Sequence, residues 1–281
     1  MSLRDELRIA PGAPVNMESI DPDSTPGLPK GKAYGKSWAR GQLVEIGDRL
    51  ATSQEQLFAT AKVSNYRRRV LLVLQAMDCG GKDGTVRKVA GTMNPQGLSI
   101  VGFGKPTKEE LAHDFLWRIR KALPAPGQIG VFNRSHYEDV LVVRVHDLVP
   151  RRVWQARYKK INDFEASLVR QGFAIVKVML HISYAEQRER LAQRLGDPTK
   201  YWKFNPSDVE ERAYWDEYQA AYADALAHCS TEDAPWYVVP ANRKWYRDWA
   251  VATVLDETLQ DLGLRYPPAA FDVQVEQARL R

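Results

Sequence analysis

Short apolar runs alternate with amphipathic stretches from Arg69 onward, the rhythm of βα units built on a parallel sheet. VLLVLQA, LSIVGF, IGVFN, FAIVKVMLHI and PWYVVPA are the five expected strands. Ahead of them, Leu43, Ile46, Leu50, Leu57 and Phe58 share one face of a long helix expected over residues 37–62. Thr107 and Glu110 form a capping box before EELAHDFLWRIRKAL, in which Leu111, Phe115, Ile119 and Leu123 fall on one face. RVWQARYKKINDFEASLVRQ turns Trp154, Tyr158, Ile161 and Leu168 inward and stops at Gly172. Ser183 with Glu186, and Ser207 with Glu210, repeat the capping signature, and NRKWYRDWAVATVLDETLQDL reads as a last helix. Residues 1–36, rich in Pro, Gly and Asp, bury little and are expected to form an irregular, loosely attached arm. Residues 37–268 are expected to form one domain, and 269–281 an irregular tail.

Composition narrows the partners only slightly. Apolar residues make up 44% of the 281, enough for a sizeable core, and forty Lys and Arg against thirty-five Asp and Glu favour anionic partners without naming one. No run approaches eighteen apolar residues, and MSLRDELRIAPGAP lacks the basic-then-apolar pattern of a secretory signal. A soluble, cytoplasmic protein with no membrane partner is expected. Two cysteines, Cys79 and Cys229, provide neither a disulfide framework nor a CxxC metal site.

The chemistry concentrates in LLVLQAMDCGGKDGT, where a strand runs into a glycine turn, a lysine and the start of a helix. Inward-pointing backbone N–H groups, the helix start and Lys82 would converge on one anion. Gly80, Gly81, Asp83, Gly84 and Thr85 are expected to hold phosphate oxygens through this loop backbone. The match to GxxxxGK[ST] is imperfect: Ala76 replaces the first Gly, Asp83 follows the lysine, and Thr85 comes two residues too late for the usual metal-binding hydroxyl. Asp78 sits inside the cradle, where a carboxylate would repel bound phosphates. It reads either as a local turn residue or as the ligand of a Mg²⁺ ion lying between it and the phosphates.

MDCGGKDGTVRK, FNRSHYEDVLVVRVH, DPTKYWKFNPSD and APWYVVPANRKWYRDWA, in this order, resemble the polyphosphate kinase 2 family, most closely its class III members. The resemblance spans about residues 40 to 268. It implies an α/β fold of the P-loop nucleotide-kinase type, a parallel five-stranded sheet flanked by helices with a helical lid over about residues 184–210. It also implies transfer of phosphoryl groups between polyphosphate and AMP or ADP. Asn133, where many P-loop proteins carry an acid, agrees with class III, and Arg134 after it is expected to bind the transferred phosphate. Glu138 and Asp139 open the next helix, where acids either offset the helix dipole or serve nucleotide or metal binding. His136 is expected to be a hydrogen-bonding neighbour rather than a base. In the lid, Arg190, Arg194, Lys200 and Lys203 are expected along a basic polyphosphate channel, while Arg188 falls beside neither Arg190 nor Arg194. Trp202, Phe204, Trp245, Tyr246 and Trp249 read as core before base-stacking, and Lys244 and Arg247 as weaker phosphate candidates.

The preferred reading is a Mg²⁺-dependent kinase, with Asp78, Lys82 and Arg134 at its centre, moving phosphoryl groups reversibly between inorganic polyphosphate and AMP, ADP or ATP. An ATP-dependent nucleoside monophosphate kinase is the near rival, and a basic nucleic-acid-binding protein with a degenerate P-loop the distant one. A nucleic-acid partner is not expected. Homo-oligomers are common in the family, yet no interface signature stands out.

Overall fold

The structure, a computed structural model, describes residues 2–31 and 33–281. Five parallel strands run in the order β2-β3-β1-β4-β5: β1 Arg69–Ala76, β2 Leu98–Gly102, β3 Ile129–Asn133, β4 Phe173–His181 and β5 Trp236–Pro240. Each expected strand is present. The helices are α1 Leu3–Leu7, α2 Lys36–Val63, α3 Lys82–Val89, α4 Lys108–Leu111, α5 Trp117–Lys121 and α6 Val142–Val145 in the first half. In the second half they are α7 Arg151–Arg170, α8 Tyr184–Leu195, α9 Ser207–Glu210, α10 Trp215–Cys229, α11 Lys244–Asp261 and α12 Val273–Arg279.

Helices cover both faces of the sheet, which explains why β1 reads as one continuous apolar run. Val70, Leu72 and Leu74 point into a layer shared with α2 and α11, including Leu50, Leu57, Trp249 and Leu255. Leu71 and Val73 point into the opposite layer with Ile119 of α5, Ile161 of α7 and Leu226 of α10. Side chains alternate across the sheet, so one strand supplies both layers. Gly172 ends α7 with φ 93°, a conformation suited to glycine, as the sequence predicts.

Several expectations are revised. The N-terminal arm is anchored: Leu3 and Leu7 are buried, Ile9 N–H donates to Trp236 O at 2.8 Å, and Arg4 pairs with Glu257 and Asp261 of α11. The helix expected after Thr107 is two short ones, because Asp114 accepts the Leu116 N–H and offers the backbone a turn instead. Leu111 therefore leaves the buried face and is 70% exposed. Ser207 does not cap α9, whose approach is fixed instead by Asn205 accepting the Ser207 N–H. The tail holds α12, capped by Asp272. Of the aromatics, Tyr246 and Trp249 are core while Trp202 is 77% exposed. No helix among the described residues is long and apolar enough to cross a membrane.

An anchored arm has a measurable consequence. Leu7→Ala is expected to cost about 2–4 kcal/mol in urea unfolding, whereas a loosely attached arm would show less than about 0.5 kcal/mol.

Candidate functional site

In a parallel sheet, ligands meet the carboxyl ends of strands where the strand order reverses, here between β1 and β3. After Ala76 the chain turns through Met77, Asp78 and Cys79, with Gly80 N–H closing on Met77 O at 2.9 Å, and enters α3 at Lys82. Cys79 takes φ 63° and Gly81 φ 106°. Two close approaches demand glycine. A Cβ on Gly80 would lie 2.4 Å from the Ala76 Cβ, and one on Gly81 would lie 1.9 Å from Arg247 Nη1. Arg247, buried at the start of α11 and held by Asp248 through Nε and Nη2, thus packs its guanidinium against the loop and against Gly84.

Lys82 is buried with Nζ on Ala76 O at 2.7 Å. Burial, and then the Arg134 charge, push its pKa below the ordinary lysine value. An arriving phosphate would oppose both effects by supplying a counter-charge to the buried ammonium. Arg134 follows β3 at φ 64° and donates its N–H to Leu74 O, while Nη2 reaches Asp78 Oδ1 at 2.6 Å. Burial works against its charge, yet Glu138 and Asp78 hold its pKa above the ordinary arginine value. The cradle's acid therefore has a protein cation as its immediate partner, where sequence reasoning offered a local turn bond or a metal.

The second carboxylate, Asp83, accepts from Asn133 Nδ2 at 2.8 Å and from Lys203 Nζ at 3.3 Å, joining α3, β3 and the segment after α8. Burial raises its pKa, but these two hydrogen bonds together with the Lys203 and Lys82 charges outweigh it and the net shift is downward. Arg194 donates to Lys203 O at 2.8 Å and to Asp208 at 3.3 Å. Asp208 is shifted upward by burial and by Asp78 nearby.

These groups line a cleft of about 870 Å³: the loop from Asp78 to Gly84, Arg87, Asn133 and Arg134, Arg190, Arg194, Lys200, Trp202 and Lys203, Asp208, and Lys244 with Arg247. A smaller cavity of about 220 Å³ opens from it at Asp78 and Arg134, walled by Glu138, Leu141, Val142, Glu211, Tyr218 and Tyr222. Thr85 lies behind the loop, fully buried, with no partner for Oγ1 among the described residues. Asp139 is not brought to either cavity, because Arg157 takes its carboxylate at 3.0 Å and its carbonyl at 2.9 Å. Arg190 lines the cleft, but its donors are turned onto backbone carbonyls rather than into open space. His136 is buried beside Glu165 at 3.1 Å, as expected of a hydrogen-bonding neighbour.

Sequence reasoning missed Arg87, Asp208, Tyr218 and Tyr222 and underrated Arg247. For Asp208 a signal existed in the FNPSD stretch; Arg87, one turn beyond Asp83 in a helix aimed at the cradle, was also legible. The others depend on tertiary packing.

No group of three or more His, Cys, Asp or Glu among the described residues is placed to hold a metal without other ligands. Asp78 nevertheless suits Mg²⁺. Among the described residues its second carboxylate oxygen makes no hydrogen bond, the residue lines the cleft, and Mg²⁺ commonly binds through one or two carboxylates plus substrate phosphates.

A parallel sheet whose first strand feeds a glycine turn and a lysine, beneath a lid carrying cations, defines a P-loop phosphotransferase. Comparison with known proteins resolves the class further. The family model described as Polyphosphate kinase 2 matches residues 43–265. An AMP/ADP-polyphosphate phosphotransferase of Meiothermus ruber is 48% identical over 262 residues, 93% of this chain and 95% of that protein. An ADP-polyphosphate phosphotransferase of Rhodopseudomonas palustris is 46% identical over 232 residues, 78% of each. The crystal structure of polyphosphate kinase 2 from Arthrobacter aurescens superimposes with TM-score 0.95 at 48% identity, covering 100% of this chain and 96% of that one. The chain belongs to the polyphosphate kinase 2 family.

Gly81→Ala is expected to push Arg247 off the loop. Positive φ for a non-glycine residue adds about 1–2 kcal/mol of strain, and phosphotransfer should fall by at least about 100-fold. Thermal unfolding and initial rates measured on one preparation check both.

Proposed function

We propose that the protein transfers a phosphoryl group from inorganic polyphosphate to ADP and AMP, reversibly and with Mg²⁺, in the cytoplasm. The observation that carries this reading is the pair of unlike cavities meeting at Asp78 and Arg134. The larger has the volume and the set of cations that a polyanion needs, with Lys82 on the loop side and Arg194, Lys200 and Lys203 on its lid side. The smaller offers tyrosines, aliphatic side chains and carboxylates, a lining suited to a nucleoside rather than to more phosphate. The names of the Meiothermus and Rhodopseudomonas relatives agree with that division of labour.

In this reading the loop amides from Gly81 to Gly84 and the Lys82 ammonium hold donor oxygens, while the Gly80 and Thr85 N–H groups, expected to help, are taken by Met77 O and Gly81 O; Arg134 draws charge from the phosphoryl group in flight. The acceptor phosphate oxygen is itself the nucleophile, so positioning and charge stabilisation suffice and no covalent enzyme intermediate is needed. Asp78, helped by Asp208, would hold Mg²⁺, which when bound neutralises phosphate charge. Asp83 contributes through its N–H and by holding Lys203 over the cradle; its carboxylate is not a phosphate ligand, because like charges repel. Glu138 faces the acceptor side, whereas Asp139 serves the Arg157 pair.

Purified protein with Mg²⁺, ADP and long-chain polyphosphate should produce ATP, detected by luciferase. An ATP-dependent nucleoside monophosphate kinase would make none from that mixture. Asp78→Asn should lower turnover at least about 100-fold with polyphosphate binding retained; a full rate across a Mg²⁺ titration would remove Asp78 from the metal.

A further inference from the structure

We propose that Arg190 is a positioning residue that aims the loop amides at the donor phosphate, and not a phosphate ligand; the inference rests on the phosphotransfer reading above. A guanidinium has five N–H donors in a rigid fork. In this chain each finds an acceptor within the protein. Nε donates to Glu186 Oε1 at 2.7 Å, Nη1 to Cys79 O at 3.0 Å and Gly80 O at 3.1 Å, and Nη2 to Ala241 O at 2.6 Å and Asn242 O at 3.0 Å. The residue is 5% exposed and its charge is matched by Glu186. No donor is left over for a phosphate oxygen.

The carbonyls it binds belong to the cradle itself. A trans peptide is planar, with its C=O and the next residue's N–H pointing opposite ways. Anchoring Gly80 O on Arg190 therefore turns the Gly81 N–H away from Arg190. Gly81 lines the cleft, and its N–H has no acceptor among the described residues, so it is free for an anion. The neighbouring anchor, on Cys79 O, holds a side-chain-bearing residue at φ 63°, a conformation that persists only where surroundings enforce it.

The other end of the clamp is equally fixed. Asn242 accepts the Ser183 N–H at 3.0 Å, donates to Asp23 at 2.9 Å, and its own N–H donates to Pro22 O at 3.2 Å. The arm, the start of α8 and the end of β5 thus form one ledge, and Arg190 spans from it to the loop. The stretch of α8 up to Arg190 is consequently a pillar, and the cleft-lining cations that can turn to a polymer are those beyond it, Arg194, Lys200 and Lys203.

The test is direct binding of long-chain polyphosphate, at several salt concentrations, to wild type, Arg190→Met and Arg190→Lys, with ADP binding alongside. Both variants should bind polyphosphate at least about tenfold more weakly with ADP affinity nearly unchanged, since lysine keeps the charge but lacks the fork. The slope of log affinity against log salt should stay at its wild-type value, because Arg190 neutralises no phosphate. A slope reduced by about 0.7, the value for one lost phosphate contact on a single strand, would make Arg190 a ligand and overturn the proposal. Wild-type affinity in either variant would overturn it as well. If Arg190→Met does not fold, Arg190→Lys decides. Failure of the wild type to make ATP while still binding polyphosphate would count against the proposed reaction alone, because binding is the readout for Arg190.

Discussion

A carboxylate and a guanidinium 2.6 Å apart hold the ends of β1 and β3 together. The pair is partly exposed, so its contribution to folding stability is small, about 1 kcal/mol or less. Its importance is local. A phosphate charge about 4 Å from an unpaired carboxylate would face roughly 4 kcal/mol of repulsion at an effective dielectric of 20, close to a thousandfold in affinity. Arg134 supplies the counter-charge before any ligand arrives, and its remaining donors can face the transferred group.

Keeping those two side chains in register requires backbone that ordinary sequences avoid. Cys79 and Arg134 both adopt positive φ, one at each strand end. The surrounding structure enforces this from several sides. Arg247 presses on Gly81 and Gly84, Arg190 takes the outward carbonyls, and Ser135 Oγ, just past Arg134, accepts from Gln75 Nε2 of β1. Deeper still, fully buried Lys177 of β4 donates to Glu165, the Tyr137 hydroxyl and Cys229 O, fixing the turn that follows Arg134. A buried charge is tolerated there because every donor is satisfied.

Much of this was legible in the residues. The strands announce themselves through apolar runs, and GGK after a strand can hardly be read otherwise, so the sheet and the centre of the site follow from sequence. What escaped was the direction of side chains. Arg190 and Arg194 share a helix face by spacing and both line the cleft, yet all five Arg190 donors are spent within the protein, whereas only Nη1 of Arg194 is engaged, on Lys203 O and Asp208, among the described residues. Asp139 looked equivalent to Glu138 until Arg157, eighteen residues on, captured it. The arm looked loose because Pro and Gly dominate it, while its anchors, Leu3, Leu7 and Arg4, find partners more than two hundred residues away in β5 and α11. Local pattern carries no information about contacts at such separation.

The most direct test of the Asp78–Arg134 pairing is tripolyphosphate affinity without divalent metal, for Arg134→Met and for the double variant that adds Asp78→Asn. Losing the guanidinium alone should weaken binding by at least about 100-fold, and removing the now unpaired carboxylate should recover at least about tenfold of that loss. A double variant that binds no better than Arg134→Met would show that the acid was never held in check by its neighbour.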